Sequence, residues 1–295
     1  MADGGSNGTG TDIIICVHNS PEDVRSCLTS VHRTLGPRDR IIVVDDGSAD
    51  ETRLICEKFA LLDQYRIKLI RRPEGSGFCR AANAGLRESS APCVVLLNSD
   101  TIVPPGWLDS IAACMAANWQ IGIVGPLSNA GGWQSIPEYK TGGPPNNLVR
   151  DDLESIEAIH KFCRGFRPRF EYPIVEQVNG FCLAIRREVL DTIGLLDEQH
   201  FPMGYGEEHD FNFRAQEAGF LCAIAIDCFV YHAKTKSYST ESRRQYISAG
   251  RVQLDRLHGV ERVRAAVRST QENPILAAIR EDARGAFVQN RWLLT

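Results

Sequence analysis

Short apolar runs that each stop on a polar or acidic turn are the feature that most narrows what this chain can fold into. Residues 12–17 (DIIICV), 40–44 (RIIVV), 67–70 and 93–97 (CVVLL) are too short for helices. They also lack the alternation of a half-buried strand, so they read as strands covered on both faces. Helical patterns lie between them. Ser20 offers a cap, Pro21 suits the first helical turn, and Glu22 and Asp23 suit the positive helix end. Val24, Cys27, Leu28 and Val31 then recur at helical spacing until Gly36-Pro37. Further helices are expected over 50–62, 78–88 and 107–118, the last after the turn Pro104-Pro105-Gly106. This alternation predicts an α/β fold with a mainly parallel sheet and right-handed crossovers. Ligands of such sheets bind outside the carboxyl ends of the strands.

Composition removes several alternatives. Hydrophobic residues make up 43% and charged residues 24% of the 295, ordinary values for a globular chain. Lys+Arg 33 against Asp+Glu 37 leaves −4, which gives no reason to expect nucleic acid as a partner. No apolar run approaches the ~18 residues of a membrane span. Residues 1–10 are polar and glycine-rich and read as a flexible leader. None of the ten cysteines stands in a CxxC pair, and Cys16, Cys93 and Cys182 sit inside apolar runs. They are expected as reduced, buried thiols of a cytoplasmic protein.

The second half reads differently. Residues 126–147 are rich in Gly, Pro, Asn and Ser and are expected as a long irregular stretch, a common place for function. A helix is expected over 151–165, a strand over 177–185, a short helix over 187–193, and a helix over 207–219. Strand pieces at 222–226 and 229–231 precede two Arg-rich helices, 241–258 and 260–284.

Three acidic clusters stand at element ends. Asp45-Asp46-Gly47-Ser48 ends the second strand. These are ordinary turn residues, yet two adjacent acids repel, and a carboxylate there suits a base or ribose. Asn98-Ser99-Asp100 ends the fourth strand, where a carboxylate and an amide suit Mg²⁺ or Mn²⁺ with a diphosphate completing the shell. Gly204-Tyr205-Gly206-Glu207-Glu208-His209-Asp210 is the densest ionisable cluster. Crowded carboxylates raise one another's pKa, which suits a general base near neutral pH. His232 precedes Lys234 and Lys236 in a cationic segment that fits a diphosphate.

Taken in order, the motifs IIICVHNSPEDV, IIVVDDGSADET, GSGFCRAANAGL, VVLLNSDTIVPPGWL, VNGFCLAIRREVLDTIGLLDE, GYGEEHDFNFRAQEAGF and VYHAKTKS resemble those of family 2 glycosyltransferases with the GT-A fold. The resemblance covers residues 11–240 and lies nearest to bacterial enzymes that assemble O-antigen, capsule or similar surface polysaccharides, rhamnosyltransferase-like members included. It implies a Rossmann-like, mainly parallel sheet with helices on both faces and C-terminal helices beyond. Residues 11–125 would form a nucleotide-sugar half, 126–240 an acceptor half, and 241–295 a helical extension.

The resemblance also implies roles. Asp45, Asp46 and Asn19 would hold the nucleotide, and Arg80, Lys234 and Lys236 its diphosphate. Asn98-Ser99-Asp100 stands where the DxD metal motif falls, with Asn at its first acid, so Asp100 becomes the main carboxylate ligand and His232 the late metal ligand. Glu207-Glu208 stands in the ED motif with Glu in place of Asp; by position Glu208 would be the general base and Glu207 its support. Trp133, Tyr205 and Asp210 would meet the acceptor. The implied reaction is inverting transfer from a UDP, dTDP or GDP sugar, with Mn²⁺ or Mg²⁺, to a glycan or lipid-linked glycan hydroxyl. Peripheral membrane contact, or membership of a larger enzyme, would fit the Arg-rich helices. A nucleotidyltransferase-type domain and a catalytically silent module are the rival readings. The first lacks its usual glycine-rich phosphate loop, and the second is motivated by Asn98 and Glu208.

Overall fold

The computed structural model describes residues 10–139, 151–234 and 240–289. The apolar runs form strands where their composition requires, and polar residues extend three of them: Asp45-Asp46 in β2, Arg71-Arg72 in β3 and Asn98 in β4. β1 (Thr11–Val17) leads to α1 (Pro21–Thr34), and β2 (Arg40–Asp46) to α2 (Asp50–Leu62). β3 (Ile67–Arg72) leads to α3 (Phe78–Glu88), and β4 (Cys93–Asn98) to the two-residue β5 (Thr101–Ile102) and α4 (Trp107–Ala117). Ser20 does not cap α1 through its side chain; it holds a left-handed backbone (φ 61), as does Asn19 (φ 60).

Residues 121–127 correct the sequence expectation. The irregular stretch expected from 126 is preceded and partly replaced by a fully buried strand, β6 (Ile121–Leu127). Its glycines disguise it. A Cβ on Gly125 would lie 2.5 Å from Val178 Cγ1 and 2.6 Å from Gln134 Nε2, so close packing, rather than a turn, demands glycine there. A single 3₁₀ turn, Gly132–Gln134, follows.

The chain continues through α5 (Leu153–Arg164), β7 (Ile174–Val175), β8 (Cys182–Arg186), α6 (Arg187–Ile193) and α7 (Glu207–Glu217). The strand expected over 177–185 is therefore shorter and later. The two pieces expected near 222–231 are one long strand, β9 (Leu221–Phe229), plus the short β10 (Tyr231–His232). Three C-terminal helices replace the expected two: α8 (Thr240–His258), α9 (Val260–Gln271) and α10 (Pro274–Gln289). The break falls at Asn273-Pro274, where Asn273 Oδ1 accepts from the amides of Ile275 and Leu276, at 3.1 and 3.2 Å, and so starts a new helix.

The main sheet runs β3-β2-β1-β4-β8-β6-β9-β7. Its first four strands are parallel, as is the pair β6–β9, while β8 and β7 run antiparallel to their neighbours. One core includes the sheet, most helices and the α10 side chains Leu276, Ile279, Ala283 and Phe287. A smaller cluster joins Phe201 and Phe213 to Leu254 of α8 and to Val263 and Ala266 of α9. All ten cysteines are free thiols, eight of them buried. Burial pushes the Cys27 thiol up to about 12, so such groups act as apolar filling. Among the described residues, no helix is long and apolar enough to cross a membrane.

Candidate active site

The parallel register fixes which side chains meet. Cys16 pairs with Asn98, Val17 with Asp45, and Asp46 with Arg72, so the acid-bearing ends of β2 and β4 flank the end of β1. A cavity of about 460 Å³ opens at this edge, in the size range of small-molecule sites. Asp46, Asn98, Ser99, Asp100, Trp133, Tyr205, Glu207, Glu208, His232 and Lys234 all line it.

The small antiparallel pair β5–β10 brings two of these together. It sets His232 opposite Thr101, and the Ala233 amide donates to the Asp100 carbonyl at 2.9 Å. His232 Nε2 then lies 3.3 Å from Asp100 Oδ1 and 3.5 Å from the Asn98 side-chain amide. On the other edge of the ring, Nδ1 lies 3.0 Å from the Ala130 carbonyl. A carbonyl only accepts, so Nδ1 carries a proton toward Ala130, and Nε2 is the ring nitrogen turned to the cavity. The Phe181 ring stacks on the imidazole at 5.1 Å and fixes its plane.

Glu207 and Glu208 open α7 behind a left-handed turn in which Tyr205 holds φ 67. Both carboxylates reach the Gly206 amide, at 3.0 and 3.2 Å. Glu207 is buried, and burial, reinforced by the Glu208 charge, raises its pKa well above the ordinary carboxylate range. Glu208 is half-buried. A group whose folded pKa lies above its unfolded value contributes stability that is present at low pH and lost as pH rises through the folded pKa. Glu207→Gln is therefore expected to raise the melting temperature above the unfolded carboxylate pKa of ~4.3, by a margin that widens with pH. Melting curves from pH 4 to 8 check this; a margin that is flat across them would refute it.

The adjacent acids of β2 divide as strand geometry requires, since successive side chains point to opposite faces. Asp46 faces the cavity and ties down the loop before α3. Its carboxylate accepts from the Ser76 amide and hydroxyl at 2.9 Å and the Gly77 amide at 3.0 Å, and it pairs with Arg72 at 3.0 Å. Asp45 does not line the cavity; it accepts from the Ser48 amide at 3.0 Å and serves the turn. Asn19 is also off the cavity, bridging to the Ala49 amide and Ser48 hydroxyl at 2.9 Å each. Arg80 is exposed and outside it. Lys236 lies outside the described residues.

Asp210 needs correction as an acceptor contact. It is buried away from the cavity, 2.7 Å from Arg214 Nε and 2.8 Å from His258 Nε2, and so joins α7 to the end of α8. Its helical offset from Glu207 put it one turn along, on the inward face. Trp133 is only 8% exposed; its indole N–H donates to the Gln177 carbonyl at 2.9 Å, and its ring stacks on His209 at 5.7 Å. Behind it, buried Arg280 of α10 donates to the carbonyls of Trp133 and Ser135 and holds this loop.

Sequence reasoning missed His18, Phe78, Asn179 and Met203 as cavity residues. His18 was within reach of it, because it follows a strand carboxyl end. Its Nδ1–H donates to the Asp46 carbonyl at 2.8 Å. Phe78, Asn179 and Met203 come from loops and a helix start whose place only the fold decides.

The sheet order and the cavity at its carboxyl edge define a GT-A fold. The solved GalNAc-T7 with UDP, GalNAc and Mn²⁺ aligns at TM-score 0.63 and 17% identity, over 97% of this chain and 57% of that one. A mannosyltransferase of Pyrobaculum calidifontis, in complex with GDP-Man and Mn²⁺, aligns at 0.58 and 19%, over 96% and 71%. The sequence itself carries the family: residues 12–194 match the glycosyl transferase family 2, and the chain belongs to it. Among its relatives, glycosyltransferase AglE of Haloferax volcanii is 29% identical over 83% of this chain and 75% of its own length. Chondroitin synthase of Escherichia coli is 24% identical over 69% of this chain, and hyaluronan synthase of Pasteurella multocida 24% over 80%. The chain spans about a third of the chondroitin synthase and about a quarter of the hyaluronan synthase.

Proposed function

We propose that this chain is an inverting, metal-dependent glycosyltransferase that moves a sugar from a nucleoside diphosphate sugar to a hydroxyl of a glycan or lipid-linked glycan. The observation that carries this reading is one cavity holding both the Asp100–His232 pair, 3.3 Å apart, and the Glu207–Glu208 carboxylates. A family that contains polysaccharide synthases supports a role in bacterial surface polysaccharide synthesis, in the cytoplasm or at the inner membrane face. The two halves and helical extension expected from sequence remain the working division of the chain.

The donor set fits a divalent cation. His232 offers an imidazole nitrogen whose other edge is committed to Ala130, Asp100 offers a carboxylate, and burial raises the pKa of the one lining thiol, Cys16, which keeps it a poor ligand. Two protein ligands leave room for diphosphate oxygens. A bound Mn²⁺ or Mg²⁺ would neutralise charge developing on the leaving diphosphate. Asp46 and His18 stand where the nucleoside would lie, and Lys234 beside the diphosphate.

Glu208 is the general base. Burial raises the pKa of the neighbouring Glu207, whereas Glu208 is the less buried of the two and lines the cavity where an acceptor hydroxyl would lie. The acceptor oxygen forms its bond to the anomeric carbon as its proton passes to Glu208. The bond from that carbon to the phosphate oxygen breaks on the opposite face, and its electron pair leaves with the nucleoside diphosphate. Configuration inverts without a covalent sugar–enzyme species. Trp133 and Tyr205 would form the acceptor side.

The direct test is nucleoside diphosphate release by the purified chain with UDP, dTDP and GDP sugars in Mn²⁺ or Mg²⁺. Release that EDTA abolishes, and that added glycan acceptor stimulates, is the expected result. Neither turnover nor binding of any of these nucleotides would sink the reading.

A further inference from the structure

One wall of the cavity comes from outside the family-matched segment. α8 begins at Thr240, past the matched residues 12–194, yet its Arg243 lines the cavity with Asp100, His232 and Lys234. A close seam holds it there. Tyr246 stacks on Tyr205 with centroids 6.3 Å apart and planes inclined by 23°. A Cβ on Gly250 would fall 1.8 Å from the Tyr205 carbonyl oxygen, an approach only glycine permits. Arg243, Tyr246 and Gly250 follow one another at offsets of three and four, so one helix face makes the whole contact.

The neighbours of Arg243 define its chemistry. Its guanidinium hydrogen-bonds the Tyr205 phenol. Lys234 lines the same cavity wall as Arg243. Lys234 also holds a left-handed backbone, φ 59, a strained conformation kept where the surroundings enforce it. Two cationic side chains on one cavity, beside the Asp100–His232 pair, favour an anionic ligand between them. The other α8 arginines behave differently: Arg244, Arg251 and Arg256 are exposed, as ordinary helix-face residues are.

We propose that Arg243 is a phosphate ligand of the donor, gripping with Lys234 the diphosphate that leaves as the sugar is transferred. The proposal rests on the glycosyltransferase reading above. A guanidinium offers a planar fork that matches two phosphate oxygens, and a position preset by Tyr205 costs little ordering on binding. As the sugar–phosphate bond breaks, negative charge grows on the phosphate that this fork faces, so the contact strengthens in the transition state. The C-terminal helices thereby supply part of the donor site.

The test compares nucleotide binding by the unaltered chain, Arg243→Gln and Arg243→Lys, with calorimetry and thermal shift in Mn²⁺. The probes are UDP, dTDP and GDP, and the nucleoside of whichever binds. Arg243→Gln is expected to weaken nucleoside diphosphate binding about 10- to 100-fold, the worth of a charged hydrogen bond, and to leave nucleoside binding unchanged. Arg243→Lys, which keeps the charge without the fork, is expected to fall between and covers the case of a poorly folded Gln variant. Equal diphosphate affinity in all three chains overturns the proposal while the transferase reading stands. An equal loss for nucleoside and diphosphate overturns it too, since that marks a collapsed wall. A raised acceptor KM with diphosphate affinity intact overturns it in favour of an acceptor contact. No nucleotide binding by the unaltered chain overturns the transferase reading along with it.

Discussion

Glu208→Gln is expected to lower kcat about 10²- to 10⁴-fold, the usual worth of a general base, and to leave nucleoside diphosphate affinity unchanged. The amide fills the same space beside Gly206 but cannot take the acceptor proton. The affinity should survive because the proposed nucleotide contacts, Asp46, His18 and Lys234, come from other elements of the cavity wall. Initial rates with saturating donor and acceptor, alongside calorimetric binding, separate the two quantities. A kcat within threefold of the unaltered chain would move the base elsewhere, and Glu207, buried and proton-retaining, would be next to examine.

The largest stability effect is expected at Asp46. Asp46→Ala removes the acceptor of the Ser76 amide and hydroxyl and of the Gly77 amide, and strands the Arg72 guanidinium. Removing one partner of a buried ion pair costs about 3–5 kcal/mol. Arg72 is 28% exposed, and solvent screens part of that, so a loss of about 2–4 kcal/mol is expected. Urea unfolding at neutral pH measures it, and an unchanged m-value would confirm that the native surface is otherwise kept. Asp46→Asn retains acceptor oxygens and should lose less. A loss below ~0.5 kcal/mol, the range of ordinary surface changes, would show that the 75–77 loop is held by other means.

Much of the first half of the chain was legible because its elements obey local rules. Continuous apolar runs stop at polar or charged residues, helical spacing marks the segments between them, and the observed α2, α3 and α6 match the expected spans at both ends. The site was legible where it falls at a strand or helix end, as with Asp46, Asp100, Glu207 and His232. It was illegible where tertiary packing decides. β6 carries glycines that ordinarily mark turns, and Gly122 is required because a Cβ would meet Val189 Cγ2 at 2.5 Å. Asp210 looked like part of an acidic loop, but the helical period turns it toward His258. Arg243 stood among many arginines on one helix, and no local pattern told it from Arg244. Only the seam with Tyr205 does that.

The order of the sheet has a consequence for how the chain comes to be folded during synthesis. β6 is complete by Leu127, but its two neighbours in the sheet are β8 and β9, made at Cys182–Arg186 and Leu221–Phe229. β8 also inserts between β4 and β6, so the early strands cannot close over the gap in advance. A nascent chain therefore carries the wholly buried strand IGIVGPL with neither partner until β8 is made, and with one edge open until β9, beyond Glu207 and Glu208, has also emerged from the ribosome. Long-range pairing of this kind is slow and exposes sticky edges on the way. The sheet closes only when β9 is in place, and the cavity, lined by residues as late as Arg243, is completed after it.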